Sequence, residues 1–209
     1  MNGDTAWPAI EAAIDWCFPL LTWGLVFAAI VAAALPGALA GRPAARWGMV
    51  AAMAVALLPI GGLPLGRWLH GIDGGFSVPF GAALLDRMVE AWSGRPFLDR
   101  RARRTAGWFG LACGLFLYPA ALGLGGFDPY VLGWTSSTVM LGAAAVAAVL
   151  IVRGNGFGYV LLAAGLLWQL DVLESENAWD YLVDPVYVIL SPFAIALAGS
   201  RHRATDRTS

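Results

Sequence analysis

Long uncharged apolar runs dominate this chain and limit the folds open to it. A helix that crosses a bilayer needs about 20 mostly apolar residues. Six runs reach or approach that length: Trp16–Gly41, Trp47–Gly66, Thr105–Phe127, Pro129–Val152, Gly154–Leu170 and Pro185–Ser200. Only 13% of the residues are charged, against roughly 25% in soluble domains. Because the runs are continuous rather than short and alternating, they predict an all-α polytopic transmembrane helix bundle.

The segment Gly74–Gly94 determines how many spans are predicted. Its first half is apolar, whereas its second half contains Asp86, Arg87 and Glu90. One interpretation is a seventh span that carries ionisable groups at membrane depth. The alternative is a bundle of six spans with this segment as a surface helix, since its apolar residues recur at helical spacing.

The distribution of arginine predicts orientation, because basic residues stay on the cytoplasmic side. Both arrangements place most of the 13 basic residues inside. The tail before the first run has no positive charge, whereas Arg42 and Arg46 follow it, which favours seven spans with the N-terminus outside. The chain contains no Lys and is rich in Ala and Gly, which suggests a bacterial origin. We therefore predict one multi-pass domain, 1–209, in the bacterial cytoplasmic (inner) membrane, with a basic cytoplasmic tail at 201–209.

Two loops predicted to lie outside combine carboxylates with aromatic rings. Such a surface suits a cation, an amine or a sugar. The candidate outer-surface binding residues are Asp128, Tyr130, Trp134, Glu174, Glu176, Trp179, Asp180 and Tyr181. The alternative is that aromatic residues collect at membrane interfaces whatever the function. In the two Asp-Pro steps, Asp128-Pro129 and Asp184-Pro185, the sequence favours a structural role for the Asp, as the cap of the following helix.

Five polar residues form a candidate transport path, because ionisable groups at membrane depth are costly and often functional. They are Asp86, Arg87, Glu90, Gln169 and Asp171. Arg87 and Glu90 are three residues apart and can pair on a helix. The alternative interpretation places the first three on a solvated helix face and leaves Asp171 as an interfacial carboxylate.

Several classes of function have no support in the sequence. A net charge of −1 argues against nucleic-acid binding. Cys17 and Cys113 lie in apolar runs without metal or redox spacing, and His70 and His202 are too far apart for paired haem ligands. No catalytic motif is recognisable. We therefore predict no cofactor, no metal site and, on balance, no enzymatic activity.

The leading functional hypothesis is an accessory or assembly subunit of a membrane complex, with membrane lipids and other membrane subunits as partners. One alternative is a small transporter or channel with an acidic outer mouth. Another is a membrane enzyme that acts on lipid or glycan at the outer surface through Glu174, Glu176 and Asp180. The basic run Arg100–Arg104 is expected to anchor the chain near anionic headgroups.

Overall fold

The computed structural model describes residues 6–34, 39–71, 75–135 and 138–205. These ranges are all-α apart from one short antiparallel strand pair and a 3-10 turn. The helices are α1 (Ala6–Ala34), α2 (Pro43–Val55), α3 (Leu65–His70), α4 (Val78–Ser93), α5 (Arg100–Ala121), α6 (Leu132–Thr135), α7 (Thr138–Val152), α8 (Phe157–Gln169), α9 (Ala178–Leu182) and α10 (Pro185–Thr205). The strands β1 (Pro59–Ile60) and β2 (Leu63–Pro64) pair with Pro59 opposite Pro64, and the 3-10 turn is Pro129–Val131.

The all-α class is confirmed, but the predicted bundle of seven spans is wrong. Within the described residues one helix is long and apolar enough to cross a membrane: the part of α1 over Asp15–Ala34, 20 residues with a mean hydropathy of 2.1. Helices α7 and α8 contain 15 and 13 residues. At 1.5 Å per residue they are about 22 and about 20 Å long, short of the hydrocarbon core of about 30 Å. The prediction of a multi-pass membrane protein is therefore wrong as well.

The chain forms two compact units, which are described separately. Unit 1 comprises Met1–Gly75 and Leu84–Phe97, and unit 2 comprises Phe76–Ala83 and Leu98–Ser209. Helix α4 therefore begins in unit 2 and ends in unit 1. Of the predicted basic tail, residues 206–209 lie outside the described residues.

Unit 1 is built on the pairing of α1 with α2. Buried Ala28, Met49 and Ala91 form its small core. Helix α3 also packs closely on α1, since a Cβ on Gly66 would lie 3.2 to 3.3 Å from Leu20 and Ala56. The guanidinium of Arg46 donates to the carbonyl of Trp92 at 3.0 Å and lies 5.6 Å from the centre of its ring. With a core of two alanines and one methionine, this unit buries few large side chains.

Unit 2 contains the larger core. Its members come from the turn before α5 and from α5, α7, α8 and α9: Leu98, Ala102, Ala106, Met140, Ala143, Ala147, Phe157, Val160, Leu161, Ala164, Ala178, Tyr181 and Leu182. Many are alanines, which lets helix axes approach closely. Helix α5 packs on α10 through glycines, since a Cβ on Gly110 would meet the Tyr187 ring at 2.8 Å and a Cβ on Gly114 would overlap Val188.

A buried polar junction links three segments of unit 2. The carboxylate of Asp184, 5% exposed, accepts from the Ser77 amide at 3.0 Å and the Ser77 hydroxyl at 2.6 Å. It also accepts from the Tyr187 amide at 2.8 Å, which confirms the predicted cap at the start of α10. The Tyr187 hydroxyl donates to the Ala106 carbonyl of α5 at 2.5 Å. Burial raises the pKa of Asp184 above its ordinary value, although these hydrogen bonds oppose the change.

Candidate functional site

The two predicted acidic–aromatic loops lie against each other in unit 2. The Tyr130 hydroxyl is 3.0 Å from both carboxylate oxygens of Asp180, to which it donates. Trp179 Nε1 donates to the Pro129 carbonyl at 2.9 Å, and Asn177 Nδ2 donates to the Tyr130 carbonyl at 3.1 Å. We call Tyr130, Ser175, Asn177, Trp179 and Asp180 the acidic–aromatic cluster.

Each of the two loops is also shaped by a local helix cap. Asp128 accepts from the Tyr130 amide at 2.9 Å and caps the 3-10 turn, which confirms the structural role predicted for the first Asp-Pro step. Asn177 accepts from the Trp179 amide at 2.9 Å and caps α9. A short polar side chain at such a position satisfies an amide that the helix leaves unbonded.

Asn177 and Ser175 were not predicted as site residues. Asn177 is fully buried, and a Cβ on Gly133 would overlap its amide oxygen. The Ser175 hydroxyl donates to Asp180 Oδ2 and accepts from the Asn177 amide. The only sequence signal was an Asn immediately before an Ala-Trp-Asp helix start, which is a capping pattern. Their role in joining the loops depends on packing that the sequence did not show.

Asp180 is the electrostatic centre of the cluster. Two hydroxyls, from Tyr130 and Ser175, donate to its carboxylate. Burial, followed by the charge of Asp180, raises the pKa of Tyr130 to about 12. The phenol is therefore a hydrogen-bond donor at neutral pH, and Asp180 is an acceptor whose oxygens are already engaged.

The other predicted outer-surface residues surround this cluster in different ways. Glu174 and Glu176 are exposed. Trp134 is 56% exposed, and its ring lies edge-on to Tyr130 at 6.3 Å between centres. Tyr181 is instead buried in the core of unit 2, where its hydroxyl accepts from the Leu173 amide at 2.9 Å. The exposed groups form an acidic and aromatic rim around a hydrogen-bonded centre.

The predicted transport residues are divided between the two units. Asp86, Arg87 and Glu90 belong to unit 1. Asp86, 2% exposed, accepts from the Phe97 amide at 3.0 Å, and Arg87 forms the predicted ion pair with Glu90 at 3.2 Å. Gln169 and Asp171 belong to unit 2, where both are exposed. Asp171 follows α8 in a left-handed conformation, with φ of 49°. A shared transport path through these residues stays a prediction.

The chemistry open to the cluster is binding through hydrogen bonds and aromatic faces. In the part of the chain that the structure describes, no group of three or more His, Cys, Asp or Glu residues could hold a metal ion. Comparisons with protein-family models, with curated proteins and with solved structures find no match to the chain.

The Tyr130–Asp180 contact makes a measurable prediction. Asp180→Asn should lower the pKa of Tyr130 from about 12 toward the ordinary value of about 10, because it removes the neighbouring negative charge. Tyrosinate absorbance would report the change, with Tyr130→Phe identifying the Tyr130 component by difference. An unchanged Tyr130 titration in Asp180→Asn would contradict the contact.

The raised pKa also predicts how stability depends on pH. Because the folded state disfavours the tyrosinate, the free energy of unfolding should fall as pH rises from about 10 through about 12.

Proposed function

We propose that this protein is a non-enzymatic accessory subunit of a complex at a bacterial cytoplasmic membrane. Helix α1 anchors it to the bilayer, and the apolar faces of unit 2 bind helices of a partner protein. The observation that carries the proposal is the number of large apolar side chains left exposed on the helices of unit 2. The acidic–aromatic cluster contributes by holding the loops between those helices in one arrangement.

The exposed apolar residues form stripes along individual helices. On α8, Tyr159, Leu162 and Leu166 are 64%, 46% and 61% exposed, and their spacing of three and four residues puts them on one face. Three other helices have comparable residues: Leu115 and Phe116 on α5, Leu141, Val149 and Val152 on α7, and Ile189, Leu190 and Phe193 on α10. Large exposed apolar surface in a folded protein marks a binding surface for protein or membrane.

A protein partner fits the stripes on α7 and α8 better than lipid chains alone. Helices α7 and α8, at 15 and 13 residues, are too short to cross the hydrocarbon core by themselves. Backbone groups at their ends would face lipid without hydrogen-bond partners, which is costly. Helices of another subunit could cover the same stripes with apolar side chains and supply polar partners at the helix ends.

Helix α1 is the proposed membrane anchor. Its apolar stretch over Asp15–Ala34 could cross a membrane by length and composition. At the start of this stretch the Arg67 guanidinium lies 4.4 Å from the centre of the Trp16 ring and donates to the Asp15 carbonyl at 3.1 Å. Trp and Arg side chains are typical of the level where hydrocarbon meets headgroups. The pair supports a membrane surface at that end of the helix.

The transporter alternative and a catalytic role for Asp180 have weaker support. The carboxylate of Asp86 accepts from the Phe97 amide, so it helps to hold the turn after α4. The carboxylate of Asp180 accepts from two hydroxyls. A proton relay or a general base needs a carboxylate that is open to its substrate, and these two side chains are occupied by structural contacts.

The proposal is tested by purification of the tagged full-length protein in mild detergent, with the co-purifying proteins quantified. We expect a membrane protein in a fixed ratio to the wild-type chain. Leu166→Glu should reduce that ratio about tenfold or more, because burial of a Leu contributes roughly 1.5–3 kcal/mol and a buried charge adds a penalty. Ala44→Glu, which introduces the same charge at an exposed position of α2 in unit 1, is the matched control and should leave the ratio unchanged. If no protein co-purifies in a fixed ratio, or if both variants behave alike, the proposal fails.

A further inference from the structure

An open depression at the start of α5 is lined mainly by arginine. Its lining residues are Asp99, Arg100, Arg101, Arg104, Thr105 and Trp108. All belong to unit 2. Arg100, Arg104 and Trp108 follow one another at intervals of four residues, so they lie along one face of the helix. We call this the arginine depression.

Three arginines and one carboxylate line this depression, and that carboxylate is already engaged. Asp99 caps α5 by accepting from the Ala102 amide at 2.7 Å. The Thr105 hydroxyl is also occupied: it donates to the Arg101 carbonyl at 2.9 Å and accepts from Asn155 Nδ2 at 2.8 Å. The arginine side chains and the Trp108 indole N–H are therefore the remaining hydrogen-bond donors in the lining.

Two of the arginines differ in how they are held. One nitrogen of the Arg101 guanidinium, Nη1, donates to the Arg153 carbonyl at 3.0 Å, which fixes this side chain toward the turn after α7. The Arg104 guanidinium has no hydrogen-bond or ion-pair partner among the described residues. Arg101 is thus held in place as a donor, whereas the Arg104 side chain can move to contact an anion.

We propose that the arginine depression binds a phosphate group. Guanidinium presents paired N–H donors that match phosphate oxygens, and several such groups around one anion are the usual means of phosphate recognition. The phosphate could belong to a lipid headgroup or to a free anion, and both share this chemistry. Trp108, 51% exposed, also lines the depression. Indole rings are enriched at the headgroup level of bilayers, which is consistent with a lipid phosphate.

The test uses the purified full-length protein in a neutral detergent at constant ionic strength. Thermal unfolding is followed during titration with inorganic phosphate, with phosphatidylglycerol, or with a neutral glycolipid that lacks phosphate. A ligand that binds the folded state raises the apparent Tm in a saturable way. The variants are Arg104→Gln, which removes the uncommitted guanidinium, and the double variant Arg100→Gln/Arg104→Gln. Arg42→Gln removes an exposed arginine of unit 1 and is the matched control.

We expect Arg104→Gln to weaken phosphate binding about tenfold, because it removes charge-assisted hydrogen bonds, and the double variant to weaken it further. Arg42→Gln should bind as the wild type does. A response to inorganic phosphate and phosphatidylglycerol supports a site for the phosphate group itself, and a response to phosphatidylglycerol alone supports a site for a lipid phosphate. The proposal is overturned if neither ligand raises the Tm, if the glycolipid acts equally, or if Arg104→Gln and Arg42→Gln have the same effect. None of these results depends on the partner protein.

Discussion

Replacing Asp184 with Ala should lower the free energy of unfolding by about 3 kcal/mol or more. The carboxylate accepts hydrogen bonds from the amide and hydroxyl of Ser77 and from the Tyr187 amide. Ala would leave these donors buried without a partner, and each such group costs roughly 1–3 kcal/mol. Denaturant unfolding followed by tryptophan fluorescence would measure the loss.

Asp128→Ala is the matched control for that variant, because Asp128 is also an Asp that precedes Pro and caps the following turn. It is exposed and accepts from the Tyr130 amide at 2.9 Å, so water can replace its contact. Its loss should cost about 1 kcal/mol, the usual value for a helix cap. Equal losses for the two variants would show that Asp184 acts as an ordinary cap and does not join segments of unit 2.

Adding one methyl group at Gly114 should lower the free energy of unfolding by roughly 1–3 kcal/mol, the cost of overpacking. A Cβ at this position would overlap Val188 of α10, so α5 and α10 would have to separate. Gly110→Ala should act in the same direction, because its Cβ would lie 2.8 Å from the Tyr187 ring. The same unfolding experiment measures both variants.

Gly142→Ala, on α7, should raise the free energy of unfolding instead of lowering it. A Cβ at Gly142 meets no described atom within 4 Å. Because Ala restricts the unfolded chain and favours helix more than Gly does, this change should stabilise by roughly 0.5–1 kcal/mol. Destabilisation by Gly142→Ala equal to that by Gly114→Ala would contradict the helix contacts described here.

These glycines show how far a spacing pattern can be trusted. The sequence places Gly62 with Gly66, and Gly110 with Gly114, at intervals of four residues that permit close helix packing. The structure confirms this for Gly110 and Gly114, whereas Gly62 lies in an exposed turn with φ of 89°. The pattern contains no information about which face meets another helix, so the spacing alone could not separate the two cases.

The number of spans was misjudged because an apolar run need not be one helix. The run Trp47–Gly66 contains the end of α2, a tight hairpin and the start of α3. Proline and glycine at residues 59–64 stop the helix and favour the hairpin. In the run Pro129–Val152 the sequence places the spanning part from about Ser137, and α7 does begin at Thr138, but with 15 residues it is short for a span. Hydropathy summed over a window does not register these interruptions.

Features that depend on near neighbours can be predicted from the sequence alone. They include the helical class, the caps at Asp128 and Asp184, and the ion pair between Arg87 and Glu90, because each rests on interactions within about one helical turn. Contacts between distant segments become visible in the folded chain alone. Asp184 and Ser77 are 107 residues apart, and Tyr130 and Asp180 are 50 apart. Such partners are chosen by how whole helices pack, and no local spacing encodes that choice.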